Sequence, residues 1–96
     1  MHKEILKKAI KIYGTHNQML KCIEECGELS RAVSRILTEL SSGDGFTTEE
    51  SQDNLYEELA DTKIMIEQMI MMFDCEKEVQ EQIDYKINRL KERLEN

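Results

Sequence analysis

Glu24-Glu25-Cys26-Gly27-Glu28 and, some thirty residues further on, Glu57-Glu58-Leu59-Ala60-Asp61 are the two stretches on which the reading of this chain turns. Each sets two carboxylates three residues apart, on one side of a helix. If the two helices lie side by side, Glu25, Glu28, Glu58 and Asp61 converge on one point. Four carboxylates at one point repel strongly unless a cation sits between them.

Working outward from these stretches, hydrophobic periodicity predicts four helices and an all-α fold of the four-helix-bundle kind. A first helix over residues 2–13 carries Ile5, Leu6, Ala9, Ile10 and Tyr13 at helical spacing. Gly14 stops it, and Thr15 with Gln18 reads as a capping box that starts a second helix near residue 16. That helix runs to about Leu40, with a broad apolar arc from Met19 to Leu40. Ser41-Ser42-Gly43-Asp44-Gly45 is the strongest loop signal. Thr47 with Glu50 reads as a second capping box, opening a third helix near Thr48 that continues to about Phe73. This third helix is apolar on two sides: Leu55, Leu59, Thr62, Ile66, Met69, Ile70 and Phe73 on one, Ala60, Ile64 and Met71 on another. One side is expected in a subunit interface. Asp74 is expected to cap a fourth helix over 75–95, whose Val79, Ile83, Ile87, Leu90 and Leu94 resemble a coiled-coil seam.

Where the acids fall on these helices separates them from surface charge. With 20 acidic residues in 96, pairs three apart arise by chance, and most decorate solvated faces. Glu58, however, stands seven and eleven residues before Met65 and Met69, within about 20° of each around the helix. Asp61 edges the same stripe, eleven residues before Met72. Glu25 is seven before Ala32 and eleven before Ile36, inside an apolar arc, with Glu28 at its border. Glu24 and Glu57 point further outward. Carboxylates within an apolar stripe must be neutralised by Lys or Arg or must hold a metal. An all-oxygen ligand set suits Mg²⁺, with Mn²⁺ as a possible substitute, or Ca²⁺. His2 and His16, the two histidines, complete no Glu-x-x-His of the di-iron kind.

Ninety-six residues make one small domain, residues 1–96, with no proline and four glycines. A chain this short is expected to draw stability from self-association. A net charge of −7 argues against nucleic acid as a partner. The most apolar run, Ile64 to Phe73, is interrupted by Glu67-Gln68 and is too short to span a bilayer, so no membrane association is expected. Cys22, Cys26 and Cys75 are odd in number and form no Cys-x-x-Cys pair, which fits a reduced, cytoplasmic chain without a signal peptide.

The pattern Glu24-Glu25-Cys26-Gly27-Glu28 followed by Glu58-Leu59-Ala60-Asp61 resembles that of the MazG-like all-α nucleoside triphosphate pyrophosphohydrolases. Asn17-Gln18 ahead of the first motif, Glu28-Leu29 within it and a Lys/Arg-rich final helix are also similar, so the resemblance covers nearly the whole chain. It implies a MazG-type fold, a homodimer or homotetramer, and Mg²⁺-dependent hydrolysis of a (deoxy)nucleoside triphosphate to the monophosphate and pyrophosphate in nucleotide-pool housekeeping. By position, Glu25, Glu28, Glu58 and Asp61 would be the metal ligands, Glu25 among the catalytic residues, and Glu24 would position or deprotonate the attacking water. Lys86 and Arg89 would meet phosphate, with Lys21 a further candidate, while Asn17 and Gln18 would contact base or sugar. The rival reading is a non-catalytic helical oligomer, an adaptor or regulator that keeps the fold.

Overall fold

The computed structural model describes residues 2–96 as four helices: α1 (Lys3–Tyr13), α2 (Thr15–Leu40), α3 (Glu49–Phe73) and α4 (Glu76–Glu95). Among the described residues there is no strand, and no helix is long and apolar enough to cross a membrane.

The helix ends depart from the expected caps in three places. Gly14, at a φ of 89° that favours glycine, closes α1 by donating its N–H to the Ile10 carbonyl. α2 begins at once at Thr15 with no side-chain cap. The Thr15/Gln18 capping box does not form, because the Gln18 amide is turned inward against α3. At the start of α3 the cap is Thr48, one residue later than expected, its Oγ1 accepting from the Ser51 N–H at 3.1 Å. Asp74 does not cap α4. It ends α3 in the left-handed conformation (φ 48°), and Cys75 precedes α4 without a side-chain cap.

Thr48 prevails at α3 because Glu39, near the end of α2, reaches across the loop to it. Glu39 Oε1 accepts from the Thr48 N–H at 2.9 Å, and Oε2 accepts from Ser51 Oγ at 2.6 Å. Arg35 stands 3.6 Å from Glu39 and 3.7 Å from Glu50, which draws Glu50 away from the expected box. A carboxylate on one helix thus satisfies the free N-terminal donors of the next.

α2 and α3 run antiparallel, and polar contacts along their seam set the register. Gln18 donates to Gln68 at 2.7 Å, Thr62 Oγ1 donates to the Glu25 carbonyl at 3.2 Å, and Ser51 meets Glu39. α1 lies against both helices, whereas α4 touches α3 only. Leu6, Ala32 and Met65 are the buried apolar residues among those described. Part of the main apolar stripe of α3 stays open, with Leu59, Ile66 and Phe73 exposed, and so does the seam of α4 at Ile83, Ile87, Leu90 and Leu94. Two paired helices and one short one cannot cover every apolar face.

Gly27 faces open space, with nothing within 4 Å of where a Cβ would sit; it is tolerated rather than needed for close packing. Gly27→Ala is expected to raise stability by about 0.5–1 kcal/mol, read from denaturant unfolding. The Glu39 carboxyl is held below the usual carboxylate range by its bonds to Ser51 and Thr48. Its contribution is present above the ordinary pKa and lost as pH falls through the lowered one. The stability advantage of the wild type over Glu39→Gln should therefore shrink as melts are taken from neutral pH to below about 4.

Candidate metal centre

The register of α2 against α3 brings together three of the four expected carboxylates. One oxygen from each of Glu25, Glu58 and Asp61 lies within 4.8 Å of the other two. The fourth, Glu28, is half-buried beside Glu58 and acts on both Glu58 and Glu25. The bond from Thr62 to the Glu25 carbonyl holds the two helices together at this level, one residue from Asp61.

The neutralising groups do not match the acids. Lys21, one turn before Glu25, reaches Glu25 Oε1 at 3.6 Å, and its side chain is half exposed. At 3.6 Å the pairing is loose, and it reaches only one of the two Glu25 oxygens. Glu25 itself is only 5% exposed. Its Oε2, like Oε2 of Glu58, is buried with no hydrogen-bond partner among the described residues. A buried carboxylate oxygen without a donor is costly, and here two occur in one cluster.

Protonation registers the same strain. Burial pushes the Glu25 carboxyl above the ordinary range, and repulsion from Glu28 and Asp61 pushes further while Lys21 opposes. Glu58 is raised in the same way, by burial first and then by the closeness of the Glu28 carboxyl, with Glu25 and Asp61 adding repulsion. The donor set, all hard oxygen, fits Mg²⁺, Mn²⁺ or Ca²⁺. The three oxygens lie within 4.8 Å of one another; neighbouring ligands around Mg²⁺ at about 2.1 Å stand about 3 Å apart, so binding would draw the side chains inward.

The remaining expected residues are dispersed. Glu24 is exposed on α2, turned away from the cluster by one helix position. Lys21, Glu25 and Asp61 share a small pocket with Ile64 and Met65. Asn17 is exposed and donates to the Tyr13 carbonyl at 2.8 Å. Gln18 is buried against Gln68. Lys86 and Arg89 sit on α4, which makes no contact with α2 among the described residues, and Arg89 lies over the Tyr85 ring at 5.8 Å. The sequence reading missed Gln68 and counted Thr62 as part of an apolar stripe. The available signal was a polar residue inside each apolar stretch, with Gln68 seven residues after Asp61 and hence on its face.

Comparison with protein-family models, with curated proteins and with solved structures finds no match to this chain.

Carboxyls whose pKa is raised by folding contribute stability below the ordinary pKa and lose it as pH rises through the raised values. Without divalent cations, Glu58→Gln is therefore expected to gain on the wild type in melting temperature as pH is raised from about 4.5 to 7.5. Thermal melts in chelator across that range measure the gap.

Proposed function

We propose that this protein hydrolyses a nucleoside triphosphate, ribo- or deoxyribo-, to the monophosphate and pyrophosphate, using Mg²⁺ held by Glu25, Glu28, Glu58 and Asp61. The observation that carries the metal assignment is the cluster itself: three carboxylates from two helices, two of them with a buried, unpartnered oxygen. The reaction class rests on the resemblance of the paired motifs around Glu25 and Glu58, together with the preference of Mg²⁺ for sites shared with substrate phosphates.

When bound, the ion supplies positive charge to phosphate oxygens and a water of lowered pKa. The protein's part is positional. Glu25 and Asp61, with Lys21 at the same pocket, define where the triphosphate meets the chain. Lys21 is close enough to leave Glu25 for a phosphate oxygen once the carboxylate has another partner. Glu24 serves as the base or orienting group for water in this reading. Asn17 is free at the surface for base or sugar, whereas Gln18 would have to give up its bond to Gln68 to do the same. The three cysteines are free thiols, in keeping with a reducing, cytoplasmic setting. The uncovered apolar faces of α3 and α4 favour the second reading, a helical oligomer acting as adaptor, and turnover decides between the two.

A panel of ribo- and deoxyribonucleoside triphosphates with Mg²⁺ should release pyrophosphate from at least one member. Glu58→Gln and Asp61→Asn should each lower the rate by about a hundredfold or more. At a Mg²⁺ concentration about a hundred times its Kd, the wild type should gain about 2.7 kcal/mol of stability and Glu58→Gln should gain little. Undiminished turnover by Glu58→Gln would remove the site, and a melting temperature indifferent to every divalent cation would remove the metal.

A further inference from the structure

Two thiols bracket the turn of α2 that carries Glu25. Cys22 and Cys26 stand four residues apart within the helix, so their side chains leave the same side with Cβ atoms about 5–6 Å apart. Both are free thiols, Cys22 half-buried and Cys26 exposed. They are close enough to act on each other: burial first, and then the neighbouring Cys26 thiol, push the Cys22 thiol above its ordinary pKa. The third thiol, Cys75, lies between α3 and α4 and faces the Ile70 carbonyl.

The bracketed turn is the one that fixes the carboxylate cluster. Glu24 and Glu25 lie between the two thiols, and the Glu25 carbonyl accepts from Thr62 on α3. Cys22 and Cys26 lie about 60° and 100° round the helix from Glu25, in the sense opposite to Lys21 and Glu28. Chemistry at the thiols therefore reaches the cluster through the backbone they share with Glu25. A disulfide needs Cβ atoms about 3.5–4.5 Å apart, closer than a regular helical turn sets them. Closing one here draws the turn in and shifts Glu25. A bond with so poor a fit is readily reduced, which is the behaviour of regulatory rather than structural disulfides.

We infer that Cys22 and Cys26 are a reversible redox pair, oxidised by a hydroperoxide to a disulfide that displaces Glu25 from the carboxylate cluster. Cys26, the exposed thiol, meets the oxidant first. Its sulfur attacks the peroxide O–O bond and becomes a sulfenic acid, and the other peroxide oxygen leaves as water or an alcohol. The Cys22 sulfur then attacks the sulfenic sulfur. The S–S bond forms, and the hydroxyl leaves as water with the Cys22 proton. The two thiols have lost two electrons to the peroxide. A dithiol reductant returns them by exchange and is itself oxidised to its disulfide. Without Cys22 one turn away, the sulfenic acid would be open to further, irreversible oxidation. Formation of the pair rests on no assumption about what the carboxylates hold; its effect on cation binding rests on the metal proposed above.

Hydrogen peroxide added to the folded wild type in slight excess should leave one free thiol of the three, and dithiothreitol should restore the other two. Trypsin releases residues 22–31 as one peptide holding both thiols. That peptide should be lighter by about 2 Da after oxidation, the mass of two hydrogens. Cys22→Ser should instead carry added oxygen on Cys26. Amide hydrogens across the bracketed turn should exchange about tenfold faster or more in the oxidised chain and recover on reduction. Mg²⁺ should stabilise the reduced chain more than the oxidised one. Oxidation that joins two chains, that adds oxygen to Cys26 while Cys22 stays free, or that leaves peptide 22–31 unchanged overturns the inference. So does an oxidised chain with amide protection of that turn intact. A reduced chain indifferent to Mg²⁺ would sink the metal assignment instead, and mass and exchange would still decide this one.

Discussion

The structure depends on the register of α2 against α3. Three polar contacts along their seam, Gln18 with Gln68, Thr62 with the Glu25 carbonyl and Glu39 with Ser51, hold the antiparallel pair against sliding. Their consequence is that Glu25, Glu58 and Asp61 cannot move apart by translation of either helix. The pair is stable only if it tolerates the repulsion this creates. It does so through raised carboxyl pKa values, through one exposed lysine and by leaving two oxygens unpaired. Each is a partial remedy. A divalent cation would answer all three at once, which is the ground on which a metal is proposed there.

Much of this was legible in the residues and some was not. The four helices and the stop at Gly14 followed from periodicity and from the few glycines. The convergence of the acids followed from placing Glu25, Glu58 and Asp61 inside apolar stripes rather than outside them. The caps were harder. Thr15 and Thr47 both satisfied the local capping rule, yet Gln18 was drawn to Gln68, and Thr48 was chosen by a carboxylate nine residues away on another helix. Asp74 has a good capping side chain but was needed for the left-handed turn that ends α3. In each case a contact distant in sequence overrode a local preference. The positions of Lys86 and Arg89 were illegible for a related reason: periodicity places them on a basic face of α4 but says nothing of where α4 goes.

The distribution of apolar surface gives the molecule two unequal sides. One side of the hairpin carries acids, a lysine and a small pocket. The other carries Leu59, Ile66 and Phe73, all exposed. With few buried apolar residues among those described, the helices stay amphipathic in two directions.

The bridge from Glu39 to Thr48 and Ser51 has a mechanical consequence for the connection it spans. Because the end of α2 grips the start of α3 directly, the loop over residues 41–47 is not the sole link between the two helices. A peptide tag spliced in beside Gly43, or new chain termini opened there by circular permutation, would leave that clasp in place.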